Sequence, residues 1–363
     1  MLIQKDLANT LRIIASQGRE GFYEGQIAKK IASEMKKNNG LITEDDLKKY
    51  YPIWRKPLIS NYRDTQIITM GPPSSGGLHV IQMLNIVENY DLKNMGHNST
   101  NYVNLLAEVM KYAYSDRSKY LGDPDFYDVP VEKIISKEYA AEINDNIDIG
   151  LSTPVDDIYP GKFLDRESHE TTHFSVVDEE GNVVSMTYTL NSTFGSKVVV
   201  KGTGILMNNE MDDFSAAPGV PNQFNLLGAD ANAIAPYKRP LSSMTPTIVL
   251  KNNELFFTTG SPGGARIISA VFQSILNIID FKMNLEEATL AKRLHHQWYP
   301  DMLEFEFSID EKINDELKNM NYITKTTLPL TCLQTIMFIE DTYYGYGDFR
   351  RVDALASGNI NVR

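Results

Sequence analysis

Residues 171–178 (Thr-Thr-His-Phe-Ser-Val-Val-Asp) and 183–191 (Val-Val-Ser-Met-Thr-Tyr-Thr-Leu-Asn) flank the acidic turn Glu179-Glu180-Gly181-Asn182, and no other stretch constrains the chain as strongly. Valine, threonine and aromatic residues on both sides of a tight, glycine-containing turn predict a β-hairpin. The hairpin starts with Thr171-Thr172, directly after the charged run Asp165-Arg166-Glu167-Ser168-His169-Glu170. If the chain were cut before Thr171, its hydroxyl would sit beside a free amine with an unperturbed pKa of about 8, able to take a proton near neutral pH. β-Branched residues suit strands for ordinary reasons as well, so the chemical reading needs support from elsewhere in the chain.

A chain of 363 residues with 42% hydrophobic and 10% aromatic content can bury a sizeable core. Its 35 basic and 47 acidic residues give a net charge of -12, which argues against a nucleic-acid or anionic-membrane partner. Cys332 is the only cysteine, so an internal disulfide and a cysteine-based metal site are excluded. The first residues carry charges and no long apolar run, which predicts neither a signal peptide nor a membrane span; a complete chain of this kind would stay in the cytoplasm.

Apolar spacing predicts helices over residues 6–17, 21–37, 78–89, 99–120 and 131–146, and a short one after the capping-box sequence Thr43-Glu44-Asp45-Asp46. Residues 65–70 read as a strand. Residues 149–170 lack periodicity and read as a linker, the accessible kind of place a cleavage site requires. Beyond the hairpin, residues 204–213 read as an apolar strand entering a polar run, 216–240 as a long loop suited to a mobile lid, and 247–250 with 255–259 as a second hairpin across Asn252-Asn253. A helix over 265–279 follows.

Gly260-Ser261-Pro262-Gly263-Gly264 joins that strand to that helix, a geometry that presents backbone N–H groups to a carboxylate or an oxyanion. Ser242-Ser243, between Pro240 and Pro246, offers two hydroxyls to an anion or to the turn's own backbone. Asp213, after Asp212, is suited to an ammonium group or to solvent. His295-His296 lacks the spacing of a zinc motif, no Gly-x-Ser-x-Gly elbow is present, and the run 71–77 lacks the lysine of a phosphate loop.

The runs 171–178, 187–191, Asn208-Asn209-Glu210-Met211-Asp212-Asp213-Phe214, Lys238-Arg239-Pro240-Leu241-Ser242-Ser243-Met244 and 260–264 closely resemble the γ-glutamyltranspeptidases, which are N-terminal-nucleophile hydrolases. The likeness extends through Pro72-Pro73-Ser74-Ser75-Gly76-Gly77 and Tyr112-Ala113-Tyr114-Ser115-Asp116-Arg117 to His295-His296-Gln297-Trp298 and covers nearly the whole chain. It implies an α+β fold, a four-layer αββα sandwich, without metal or cofactor. It also implies self-cleavage between Glu170 and Thr171 into pieces 1–170 and 171–363 that remain associated as a heterodimer.

By the same resemblance Thr171 is the nucleophile, Thr189 orients it, and the N–H groups of Gly263 and Gly264 hold the oxyanion. Ser242 and Ser243 take the α-carboxylate of the γ-glutamyl group; Asn191, Glu210 and Asp213 take its α-ammonium. The implied substrates are glutathione and related γ-glutamyl compounds, with water, amino acids or dipeptides as acceptors, and family members are typically periplasmic, secreted or membrane-anchored. Two departures are expected. The family's heavy chain is much longer, so this sequence begins well inside it, without the arginine that pairs with the donor carboxylate. A lid tyrosine of bacterial members is matched by Phe224. A truncated, non-catalytic remnant, or the same fold acting on poly-γ-glutamate or a β-lactam side chain, stays open as an alternative.

Overall fold

The computed structural model describes residues 2–158, 171–215, 217, 220, 222, 226–329 and 331–358. The expected scissile bond at Glu170, the later part of the linker, and Phe224 lie outside the described residues. The chain divides into two compact units, Met1–Arg55 with Leu190–Glu210, and Lys56–Thr189 with Met211–Arg363.

In the first unit the helices Lys5–Tyr23, Gly25–Lys37 and Glu44–Lys49 carry a small core. Ile27 and Ile31, four residues apart on one helix face, pack with Val200 of the short Val199–Val200/Ile205–Leu206 ladder. The first helix runs past the expected stop at residue 17, because Gly18 takes a left-handed φ of 61° and lets the chain kink and continue. The expected capping box forms: the Thr43 hydroxyl accepts from the Asp46 N–H, and the Asp46 carboxylate accepts from the Thr43 N–H.

The second unit is built on a six-stranded antiparallel sheet in the order Leu58–Tyr62, Thr65–Thr69, Thr247–Lys251, Glu254–Thr259, Gln334–Ile339, Thr342–Gly347. Its register aligns Ile67, Val249, Phe257 and Met337 in one buried row across four strands. The helices Gly76–Val87, Thr100–Tyr120 and Arg266–Ile279 share this apolar cluster. Each such side chain, fully buried, contributes about 1.5–3 kcal/mol. The hairpin Thr172–Val177/Val183–Tyr188 forms a second sheet. It packs on the first through Ser175, whose hydroxyl donates to the Gln334 carbonyl at 3.0 Å, and Ser185, which donates to Thr259 at 3.2 Å. Helices, large sheet and small sheet are thus stacked in that order.

Three further expectations are corrected. The helix expected over 131–146 is two, Val131–Ile134 and Lys137–Asn144, because Ser136 caps the second by accepting from the Tyr139 N–H. Residues 149–158 are anchored rather than a free linker: the buried Lys111 ammonium donates to Ser152 Oγ and the Thr153 carbonyl, and the Thr153 N–H donates to Glu108. In the loop 216–240, the described residues 226–240 hold buried Leu226, Leu227, Ala231 and Asn232, so this half is packed. Among the described residues, no helix is long and apolar enough to cross a membrane.

The turn entering the Gly76–Val87 helix leaves no room for a side chain: a Cβ on Gly76 would lie 2.1 Å from Thr245 Oγ1 and 2.8 Å from the Met244 carbonyl oxygen. Gly76→Ala is therefore expected to destabilise the protein by about 1–3 kcal/mol, read from urea or thermal unfolding.

Candidate active site

The site at the head of the hairpin follows from strand register. Thr172 pairs with Tyr188 as the last pair of the ladder, and Thr171 and Thr189 are the residues next beyond it on the two strands. Alternation along the strand puts Thr171 on the same face as His173 and Ser175, the face turned to the large sheet. Thr171 is only 9% exposed, and its carbonyl accepts from Arg351 Nη1 at 3.2 Å. The neighbouring Arg350 is held in turn, donating to Glu306 at 2.8 Å and to Asp348 at 3.0 Å.

His173 joins this strand to the glycine turn. Its ring is hydrogen-bonded with Thr187 Oγ1 at 2.7 Å and Ser175 Oγ at 3.2 Å. It lies so close under Gly260 that a Cβ there would be 2.1 Å from the ring. Burial lowers the imidazole pKa to about 4, so His173 is neutral.

Gly260 then leads into the turn whose Gly263 and Gly264 have φ of 134° and 55°, conformations open to glycine. Their carbonyls accept from Arg266 and Ile267 as the helix begins. Their own N–H groups are buried and, among the described residues, have no acceptor. Buried amide N–H groups are nearly always paired, so two adjacent free ones at a helix start mark a place prepared for a negative oxygen.

The serine turn is clasped by residues 73–75. Ser242 N–H donates to the Pro73 carbonyl at 2.8 Å, and the Ser75 N–H and Ser75 hydroxyl both donate to the Ser242 carbonyl at 2.8 Å. Ser242 Oγ accepts from the Met244 N–H at 3.0 Å, and Ser243 Oγ accepts from Arg117 Nη2 at 3.1 Å. Both hydroxyls are thus used as acceptors, and among the described residues neither finds an acceptor for its own proton. They form a pair of donors suited to an anion.

Asp213 is tied to this turn by Asn232, whose amide donates to the Asp213 carbonyl at 2.7 Å and whose oxygen accepts from the Leu241 N–H at 3.0 Å. Asn232 was not legible as a site residue, since it lies within an unpatterned loop. Arg117 belongs to a quoted motif, but nothing in its spacing pairs it with Ser243.

Asn191 and Glu210 belong to the first unit, where their segments adjoin. The Asn191 amide donates to the Asn209 carbonyl at 3.2 Å, and the Asn209 N–H donates to Leu190 at 3.1 Å. His295 and His296 are engaged in the core: His295 with Ser269 and Gln297, His296 with Asp301 at 3.2 Å.

A glycine turn with two free amides, a buried threonine heading a β-hairpin and two packed antiparallel sheets are features of the N-terminal-nucleophile fold class. The sequence profile of the Gamma-glutamyltranspeptidase family matches residues 1–358, and the chain belongs to that family. A glutathione hydrolase proenzyme of Escherichia coli (strain K12) is 51% identical over 360 residues, 98% of this chain and 62% of the relative. The cephalosporin acylase of Bacillus halodurans superposes with a TM-score of 0.83 at 28% identity, over 96% of this chain and 61% of the acylase chain. In a gamma-glutamyltranspeptidase from Pseudomonas nitroreducens complexed with L-DON, one chain matches 52% of this chain and 99% of itself, at 45% identity and a TM-score of 0.50. The chain thus spans less than two thirds of the length of the glutathione hydrolase proenzyme and of the acylase chain it matches.

The folded pKa of His173, about 4, lies below the unfolded value of about 6.5, so its contribution to stability is present above 6.5 and lost as pH falls towards 4. Melting temperatures measured across that window should fall for the native chain, with up to about 3 kcal/mol involved. The slope should flatten in His173→Asn.

Proposed function

We propose that the chain acts as a γ-glutamyltransferase and glutathione hydrolase after cleaving itself before Thr171. The observation that carries this reading is the pair of buried, acceptor-free N–H groups of Gly263 and Gly264, in the turn that runs on from the Gly260 backbone lying against His173, two residues from Thr171. Before cleavage the Thr171 nitrogen is an amide and cannot act as a base. Afterwards its amine takes the hydroxyl proton while the oxygen attacks the γ-amide carbon. The resulting oxyanion is received by the Gly263 and Gly264 amides, each worth about 3 kcal/mol in comparable sites. Collapse passes the proton to the departing amine and leaves a γ-glutamyl ester on Thr171. Water or an acceptor amine then releases it.

In this reading Thr189, the residue that follows the last paired position of its strand as Thr171 precedes that of the other, orients the nucleophile. Ser242 and Ser243 donate their protons to the donor's α-carboxylate, and Asp213 receives its α-ammonium; a part for Asn191 and Glu210 rests on the family resemblance alone. The zwitterionic end, held at both charges, places the γ-carbonyl at the nucleophile.

Association of the two pieces is supported by the sheet: the strands Leu58–Tyr62 and Thr65–Thr69 precede the cut, and Thr65–Thr69 pairs with Thr247–Lys251, which follows it. The Pseudomonas nitroreducens chain that matches only about half of this one fits a product of such a cut. Export from the cytoplasm belongs to the same proposal. Greater likeness to a glutathione hydrolase proenzyme than to the cephalosporin acylase, 51% against 28% identity, favours a γ-glutamyl donor over a β-lactam side chain.

The purified protein should resolve into two bands on a denaturing gel, the smaller with the N-terminal sequence Thr-Thr-His-Phe. It should release the amine of a γ-glutamyl anilide with a rate that rises through about pH 7–8 as the Thr171 amine loses its proton. Thr171→Ala should remain one band and turn over nothing; retained cleavage or turnover in that variant removes Thr171 from the mechanism.

A further inference from the structure

Arg117 lies near the C-terminal end of the Thr100–Tyr120 helix and is only 4% exposed. Its Nε donates to Ser75 Oγ at 2.9 Å and its Nη2 to Ser243 Oγ at 3.1 Å, both uncharged hydroxyls. Among the described residues no carboxylate forms an ion pair with it. A buried guanidinium without a counter-charge is costly, and burial lowers its pKa to about 10, with Tyr114 and Asp213 opposing the shift from a distance. The cost is offset once an anion arrives on the far side of Ser243. The Ser243 oxygen already accepts from Arg117, so its lone proton is directed away from the arginine.

We propose that Arg117 is a positioning residue of the anion subsite, aiming the Ser243 proton and placing a buried positive charge behind it for the α-carboxylate of a γ-glutamyl group. The proposal rests on the reading of Ser242 and Ser243 given above. Arg117 touches no reacting atom and acts through Ser243. Ser75 links the two halves of the device, since its oxygen accepts from Arg117 and its proton goes to the Ser242 carbonyl. One side chain therefore sets the geometry of both serines. With Asp213 acting on the same guanidinium, the subsite offers both signs of charge, as a zwitterionic amino-acid end requires.

The test compares L-glutamate with γ-aminobutyrate, which lacks the α-carboxylate, by calorimetry on the full chain. Native protein, Arg117→Met, Arg117→Lys, Ser243→Ala and the Arg117→Met/Ser243→Ala double variant are measured, alongside KM and kcat on a γ-glutamyl anilide. Arg117→Met should weaken L-glutamate about tenfold or more and change γ-aminobutyrate less than about twofold, with KM rising more than kcat falls. The double variant should bind L-glutamate no more weakly than the weaker single variant, because the arginine acts through the serine. Equal losses for the two ligands, additive losses in the double variant, unchanged L-glutamate binding, or no L-glutamate binding by the native chain each overturn the proposal. Should Arg117→Met fail to fold, Arg117→Lys decides: a lysine that cannot reach both Ser75 and Ser243 should weaken L-glutamate selectively, and native affinity in it overturns the proposal. A native chain that binds L-glutamate through Arg117 yet leaves the anilide intact sinks the activity proposed above and not this inference.

Discussion

The imidazole of His173 against the backbone of Gly260 is the contact on which the site depends. It joins the small sheet that carries Thr171 to the strand end from which the glycine turn springs, with no space for a Cβ between them. Ring hydrogen bonds to Thr187 and Ser175 hold the imidazole on the inner face of the hairpin, and Ser175 passes the connection on to the Gln334 carbonyl. A larger residue at 260 would push the hairpin off the sheet. Threonine 171 and the two free amides would then no longer be held by a common support.

A second constraint acts through the backbone. Ser242 is paired on both its N–H and its carbonyl with the turn 73–75, so the hydroxyl-bearing residues cannot drift without breaking several bonds at once. Asn232 extends this order to Asp213. Among the described residues, the Gly263 and Gly264 amides and the two serine protons have no acceptor; nearby, Ser215 Oγ and Ser115 Oγ are also buried without a partner. The free donors of the glycine turn and of the serine pair support the proposed ligand, with an oxyanion at one end and a carboxylate at the other.

Much of this was legible in the chain. The hairpin, the second hairpin across Asn252-Asn253, the strand–turn–helix at 260–279 and the capping box at Thr43 follow from alternation, turn residues and capping patterns, which are local. The edge strands Leu58–Tyr62 and Thr342–Gly347 were not read, although each closes a tight hairpin with its neighbour in sequence; what joins these hairpins into one sheet is pairing between Thr65–Thr69 and Thr247–Lys251 and between Glu254–Thr259 and Gln334–Ile339, which are remote in sequence. Residues 226–240 look like a free loop in composition, yet Asn232 makes part of them a brace. Arg117 was visible only as a member of a motif; its bond to Ser243 spans 126 residues.

The sequence by itself determined the family and the positions at which threonine, serine, glycine and acid must stand, since the type and order of those residues are carried along the chain. Only the tertiary structure decided which donors are left free. Hydrogen-bond satisfaction is settled by groups that meet in space, and the amides of Gly263 and Gly264, the protons of Ser242 and Ser243 and the charge of Arg117 acquire their meaning from partners that the fold supplies or withholds.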